Sequence, residues 1–275
     1  MYPPIAVMNI NHRYRTVEEF FASAAASGYT DVDFWTGPMH LYVGCDGFDE
    51  VEPVRAAAES YGLRIVGVCP EQNNPKPWNV ATANEGMHAR TLAYFRNQVE
   101  VCVRFGASRL LLAPGWAFEG EDLEAARERS ARTVREIASY AAERGVRVVV
   151  EALQPKESAL VSSSADLAAY IARVDHGNVA ACLDFGAMEA AGETISEAFS
   201  KLGEVGHVHF VDCRGGHTHL AWGEGHRCMK DDLDELVHLG YQGICSIETY
   251  DSRYFSNPSE ADRKSMDEYR KAMEG

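Results

Sequence analysis

Eight short, mostly apolar runs recur along the chain, and segments with helical spacing lie between them. The runs are IAVMNI (5–10), DVDFWT (31–36), LRIVGVC (63–69), SRLLLA (108–113), VRVVVEA (146–152), NVAACLD (178–184), GHVHFVD (206–212) and ICSIETY (244–250). Nearly continuous apolarity is typical of parallel strands that are buried on both faces. Eight strand-then-helix units in 275 residues predict an α/β fold, a closed (β/α)₈ TIM barrel, as one domain over residues 1–275.

The segments between the runs supply the helices of this pattern. Their apolar residues recur three and four positions apart, as in TVEEFFASAAASG and DDLDELVHLG. Several end at a glycine, which is the usual residue after the last helical turn: Gly28, Gly106, Gly145 and Gly240. A final helix is predicted from Ser259 to Glu274, after the eighth run.

A doubly wound open sheet is the alternative architecture, and it needs fewer strands. Its dinucleotide-binding form carries a Gly-x-Gly-x-x-Gly turn after the first strand. Here the first run leads into NINHRYR instead. The sequence therefore favours the barrel.

The charge of the chain argues against two classes of partner. Its 41 acidic and 26 basic residues give a net charge of −15. Such a surface repels nucleic acid and anionic membranes, so we expect neither as a partner. The N-terminus also lacks the basic, apolar and small-residue order of a signal peptide. We expect a cytoplasmic protein, and the sequence leaves a homo-oligomer open.

The last four runs each carry, toward the carboxyl end, a side chain that can bind a metal. These side chains are Glu151, Asp184, His209 and Glu248, and the carboxyl ends of the strands form the active-site face of such a barrel. Three buried carboxylates without a cation would repel one another and carry a large desolvation cost. Oxygen donors with one imidazole suit Mn²⁺, Mg²⁺ or Co²⁺. The pattern predicts a divalent metal site, with Mn²⁺ as the first choice.

The seventh run carries two histidines on one face. His209 lies nearer the carboxyl end of the strand and is the expected ligand. His207, two residues earlier, points inward one layer deeper. We predict that His207 is a packing residue of the barrel interior, with support of the metal site as the alternative.

These motifs resemble those of the xylose-isomerase-like sugar phosphate isomerase/epimerase barrels, which include ketose 3-epimerases and hydroxypyruvate isomerase. The resemblance covers the whole chain and is carried by VVVEAL, CLDFG, HVHFVD…GEG and GYQGICSIE in that order. In the epimerases Glu, Asp, His and Glu on four successive strands hold the metal. The resemblance implies the same role for Glu151, Asp184, His209 and Glu248.

The resemblance also suggests substrate-binding residues. Glu157 matches a substrate-contacting glutamate of the ketose 3-epimerases, with a solvated loop acid as the alternative. Arg214 falls one position from the arginine that those enzymes place near the substrate. His219 lies in the loop after the seventh run, where either a substrate hydrogen bond or surface exposure is expected. Trp116, in APGW, is predicted to form an apolar wall beside the sugar or to pack in the core.

One position departs from the family pattern. Many relatives carry a histidine three residues after the sixth-run aspartate and use it on the substrate. Ala187 stands there in this chain. The departure argues against a standard free-ketohexose epimerase and predicts a pocket suited to another small carbohydrate.

The predicted function is a divalent-metal-dependent isomerase or epimerase of a sugar or sugar-derived carbonyl compound. A metal can polarise the carbonyl and acidify the neighbouring C–H, and Glu151 and Glu248 are expected to remove and return the proton through an enediolate. A lyase or dehydratase acting on a keto-sugar or glycoside uses the same chemistry. An apurinic-endonuclease-type DNA repair enzyme and a non-catalytic barrel are the remaining alternatives.

Overall fold

Eight parallel strands close into a barrel, which confirms the predicted fold. The computed structural model describes residues 1–72 and 75–274, so Asn73, Asn74 and Gly275 of the predicted domain lie outside the described residues. The barrel strands are β1 (Ile5–Met8), β2 (Asp31–Thr36), β3 (Arg64–Pro70), β4 (Arg109–Leu112), β5 (Arg147–Glu151), β6 (Val179–Asp184), β7 (Val205–His209) and β10 (Cys245–Ile247). Around the ring each strand pairs with its neighbour in this order, and β10 closes on β1.

Three of the predicted runs leave the strand well before they end. The eighth run does so at Ile247, three residues before its predicted end. The first run leaves the strand at Met8 and forms a 3₁₀ helix over Asn9–His12. The seventh run leaves its strand at His209, so the prediction of a strand to residue 212 was too long. Asp212 instead begins an antiparallel hairpin of β8 (Asp212–Arg214) and β9 (His217–Leu220). The sequence analysis did not predict this hairpin.

The helices lie around the barrel. They are α1 (Val17–Ser27), α2 (Val51–Ser60), α3 (Glu85–Phe105), α4 (Leu123–Ala142), α5 (Ser164–Val174), α6 (Phe185–Ala190), α7 (Ile195–Leu202), α8 (Met229–His238) and α9 (Pro258–Glu274). Thr16 and Glu19 form a capping box that begins α1, and Gly28 ends it with φ of 99°. None of the helices in the described ranges is both long and apolar enough to cross a bilayer.

The last helix joins the two ends of the chain. α9 packs against α1 and α8. The carboxylate of Asp262 in α9 lies 2.7 Å from His12 Nε2 and accepts a hydrogen bond of 2.6 Å from Ser23 Oγ. All three residues are buried. The start of the chain is therefore tied to its end through one buried carboxylate.

The alternation of side chains along each strand sets the direction of the site residues. A small apolar cluster fills the inside of the barrel, and it includes Val149 of β5 and Cys182 of β6. Successive strand residues point to opposite faces. Glu151 and Asp184 each stand two residues after an inward-facing neighbour, so both point into the barrel at its carboxyl end.

Candidate active site

Four side chains at the carboxyl end of the barrel converge on one region. Glu151, Asp184 and His209 are the last residues of their strands, and Glu248 follows β10 directly. Their candidate ligand atoms all lie within 4.8 Å of one another. His209 Nδ1 is 2.7 Å from Glu248 Oε2, 3.2 Å from Glu151 Oε2 and 3.8 Å from Asp184 Oδ2. The structure thus brings together the four residues that the strand ends suggested.

The donor set fits a divalent cation. His209 is fully buried, and its Nδ1 faces only the carboxylates of this cluster. Its Nε2 makes no hydrogen bond within residues 1–72 and 75–274, and the same is true of Asp184 Oδ2. The other oxygen of Asp184 accepts the N–H of Ala187 and caps α6. Buried polar atoms without partners are costly. A cation among three carboxylates and an imidazole removes that cost and balances their charge.

The two glutamates differ in proton affinity. Burial is the main cause that raises the pKa of Glu151 to about 7. His209 lowers this pKa, and the negative charges of Glu248 and Asp184 raise it further. Burial also acts to raise the pKa of Glu248, but His209 and His219 outweigh it and hold this pKa below its usual range. Two carboxylates with separated pKa values are an arrangement that acid–base chemistry uses.

A second polar layer lies beneath this cluster. His207 Nε2 is 2.7 Å from Asp33 Oδ2, Arg109 lies 3.9 Å from the same oxygen, and the His207 ring meets His209 edge-on at 5.3 Å. Burial, with the nearby Arg109 charge, lowers the pKa of His207 to about 4. His207 is therefore a neutral interior residue one layer deeper. The sequence analysis missed Asp33, although it stands two residues before the inward-facing Trp35 in β2.

A cavity of about 450 Å³ opens above the four residues, within the range of ligand pockets. Its walls differ in character. One wall is apolar and includes Ile10, Trp35, Leu111 and Trp116. The opposite wall carries acidic and histidine side chains: Glu151, Asp184, Glu248, Glu157 and His219. Because β1 to β4 lie across the barrel from β5, β6 and β10, the cavity offers apolar groups opposite charged ones.

The loop that carries Trp116 is held at every residue from 113 to 116. Side chains of other segments bond to its backbone: Gln72 to Ala113 (2.8 and 2.9 Å), Ser130 to Pro114 (2.7 Å), Ser158 to Gly115 (2.8 Å) and Asn79 to Trp116 (2.8 and 3.0 Å). The indole Nε1 also donates to Lys76 O at 3.3 Å. Trp116 therefore lines the cavity from a fixed position, as the wall prediction requires.

The other predicted substrate residues are placed differently. Glu157 lines the cavity at its mouth, where its carboxylate accepts the N–H of Gln154 at 3.0 Å. His219 lines it beside Asp184 and Glu248. Arg214 is exposed and donates to Gly225 O at 3.0 Å, away from the residues that line the cavity. The structure does not bring Arg214 to the cavity, because its side chain extends from the hairpin toward the following loop.

The loop after the β8–β9 hairpin contains the Gly-Glu-Gly motif at positions 223–225, and a buried carboxylate accounts for its glycines. Asp212 is fully buried, and its carboxylate accepts four backbone N–H groups, those of Cys213 (2.8 Å), Gly223 (3.1 Å), Gly225 (2.7 Å) and Arg227 (3.1 Å). A Cβ on Gly225 would lie 1.9 Å from Asp212 Oδ1. The sequence analysis missed Asp212, whose role is to anchor this loop.

The barrel and the carboxylate–histidine cluster at its carboxyl end define the class, a TIM barrel with a candidate metal centre. The sequence model of the xylose isomerase-like TIM barrel family matches residues 21–273. The chain belongs to that family.

Individual relatives in this family have epimerase names. Fructoselysine 3-epimerase of Escherichia coli O157:H7 is 25% identical over 261 residues, which is 94% of each chain. D-psicose 3-epimerase of Ruminiclostridium cellulolyticum is 29% identical over 127 residues, 45% of this chain and 41% of that one. Among solved structures, 3-keto-D-glucoside 4-epimerase from E. coli has a TM-score of 0.78 and 18% identity, over 99% of this chain and 100% of that one.

Proposed function

We propose that the protein is a divalent-metal-dependent isomerase or epimerase of a sugar or sugar-derived carbonyl compound. The observation that carries this proposal is the position of Glu151 and Glu248. Both carboxylates lie beside His209 Nδ1 in one cavity, with separated pKa values. Two relatives in sequence, which are by name a fructoselysine 3-epimerase and a D-psicose 3-epimerase, support it.

Glu151, Asp184, His209 and Glu248 would hold the metal, for which we propose Mn²⁺, with Mg²⁺ and Co²⁺ as the alternatives. A bound divalent ion supplies a Lewis acid that polarises a carbonyl and acidifies the adjacent C–H. Glu151 and Glu248, which both lie beside His209 Nδ1, are the pair that would remove and return the proton. Return to the opposite face of the same carbon gives an epimer, and return to the neighbouring carbon gives an isomer.

The substrate in this proposal is a small polyhydroxylated carbonyl compound. Trp116 and the apolar wall face its C–H groups, and Glu157 at the mouth binds its hydroxyl groups. The predicted contact of Arg214 stays a prediction, as do a cytoplasmic location and a homo-oligomer. A net charge of −15 opposes the DNA repair alternative, because DNA binding depends on neutralising phosphates.

Solvent isotope exchange tests the proposal. The Mn²⁺-loaded protein is incubated in D₂O with D-psicose, fructoselysine and a 3-keto-glucoside. We expect deuterium on the carbon beside the carbonyl, and its position distinguishes an epimerase from an isomerase. Loss of a substituent from the neighbouring carbon would instead indicate the lyase or dehydratase. Nicking of abasic DNA without exchange in any sugar would contradict the proposal.

A further inference from the structure

The β8–β9 hairpin brings one histidine to the rim of the carboxylate cluster. His219 Nε2 lies 3.3 Å from Asp184 Oδ2 and 3.6 Å from Glu248 Oε2. The carbonyl of His219 accepts the N–H of Tyr250 at 3.1 Å, which ties the hairpin to the segment after β10. The hairpin is thus part of the wall of the cavity.

The backbone at His219 is strained. Its φ is 59°, in the left-handed region that residues other than glycine seldom adopt. Strain of this kind persists where the surrounding structure holds it and is concentrated at functional sites. Here the bond to Tyr250 N–H holds it. The conformation turns the imidazole toward the cluster.

The surroundings of the two ring nitrogens show which one faces the cavity. Gln154 Nε2 donates to Thr218 Oγ1 at 3.1 Å, and Thr218 Oγ1 lies 3.0 Å from His219 Nδ1. The hydroxyl thus occupies Nδ1, and Nε2 is the nitrogen directed at the carboxylates of Asp184 and Glu248. A carboxylate oxygen only accepts hydrogen bonds, so this position suits an N–H on Nε2.

Gly186 leaves the space that this imidazole occupies. A Cβ at position 186, in α6 two residues after Asp184, would lie 2.7 Å from His219 Cε1, 3.0 Å from His219 Nδ1 and 3.1 Å from Asp184 Oδ1. Contacts this short force one group to move. A side chain at 186 and an imidazole in this position therefore exclude each other.

We propose that His219 is a substrate-positioning residue, which donates from Nε2 to a hydroxyl or carbonyl oxygen of the sugar, and that Gly186 fixes its position. This inference rests on the proposed function, since the oxygen belongs to the same small polyhydroxylated substrate. It makes the hairpin a determinant of which sugar is accepted. The four proposed metal ligands remain on the barrel strands.

Variants at the two positions test this. His219→Gly removes the imidazole and suits a φ of 59°, while His219→Gln keeps an N–H donor. In the exchange assay with Mn²⁺-loaded protein, we expect His219→Gly to lower kcat/KM by about tenfold, the cost of one lost hydrogen bond. Most of the loss should be in KM, with partial recovery in His219→Gln or on adding free imidazole. Gly186→Ala should give a similar loss, whereas Gly177→Ala, whose Cβ meets nothing within 4 Å, should not.

Calorimetric titration with Mn²⁺ supplies a measurement that is independent of activity. We expect the affinity of His219→Gly for Mn²⁺ to match that of the unmodified protein. A drop of more than about tenfold, the scale of lost ligand support, would make His219 a metal ligand and overturn the inference. Unchanged kcat/KM in His219→Gly would also overturn it. If the unmodified protein exchanges no probe, the proposed function fails first, and the inference fails with it.

Discussion

Glu248 and Glu151 approach the same imidazole nitrogen, at 2.7 and 3.2 Å, from surroundings that act in opposite directions on their protons. The second histidine, His219, contacts Glu248 and stabilises its ionised form. For Glu151, burial together with the acidic neighbours outweighs the effect of His209, so its pKa is raised. At the scale of single residues, the two glutamates therefore differ in proton affinity.

Replacing Glu248 with Gln should abolish turnover with a smaller loss of metal than Asp184→Ala. Gln keeps an oxygen donor but cannot accept a proton, whereas Ala removes a donor entirely. Loss of a general base typically costs about 10²–10⁴-fold in rate. Solvent deuterium exchange and metal analysis of both purified variants measure the two effects. Full activity in Glu248→Gln would remove Glu248 from proton transfer.

Asp212→Asn should destabilise the fold, because an amide directs N–H groups toward backbone N–H donors that now bond to a carboxylate. Hydrogen bonds to a buried charged group contribute about 1.5–3 kcal/mol each, so we expect a loss of at least about 2 kcal/mol. Unfolding in urea measures the free energy of unfolding of each variant. Asp231→Asn, at an exposed position, is the matched control and should stay within about 0.5 kcal/mol. Equal stability of the two variants would contradict the anchoring role.

At the scale of elements, the alternation of side chains along each strand made the inward-facing residues predictable. The conformation of the loops did not follow from that alternation. The ends of the fifth to eighth runs indicated Glu151, Asp184, His209 and Glu248, because an inward direction repeats every second residue. The hairpin could not be predicted in this way. Its two strands are three and four residues long, and their position depends on Asp212, whose partners lie up to 15 residues later.

The junction between α9 and the start of the chain should contribute strongly to stability. Asp262→Ala removes the carboxylate that lies beside His12 Nε2 and accepts from Ser23, leaving buried polar atoms without a partner. Such a change costs about 1–3 kcal/mol per group. Thermal unfolding should show a clear decrease in Tm. The control Asp267→Ala, 38 % exposed in its ion pairs, should cost little.

At the scale of the whole molecule, the strand count and the chain length were sufficient to predict the barrel, because few folds accommodate eight parallel strands with intervening helices. The nature of the cavity was less predictable. Its apolar wall combines residues from β1 to β4 and their loops, which the sequence separates by more than 100 positions. The distant hydrogen bonds that orient those loops leave no periodic pattern.

Metal should stabilise the whole barrel. A ligand that binds only the folded state adds about 2.7 kcal/mol at a concentration of 100 times its Kd, and the cluster draws its residues from three strands and from the residue after a fourth. We expect Mn²⁺ to raise Tm and a chelator to reverse the change. Asp184→Ala should respond much less to Mn²⁺. A Tm that is independent of Mn²⁺ would argue against a metal in this cluster.

The loop from Ala113 to Trp116 has a consequence for the dynamics of the protein. Gln72 and Asn79 accept its N–H groups, so these amide protons depend on distant side chains rather than on a neighbouring strand. A loop held in this way has little conformational entropy left to lose when a sugar binds. Hydrogen–deuterium exchange should therefore find the amides of Ala113 and Trp116 protected like those of a strand, and Asn79→Ala should release Trp116 while the barrel stays folded.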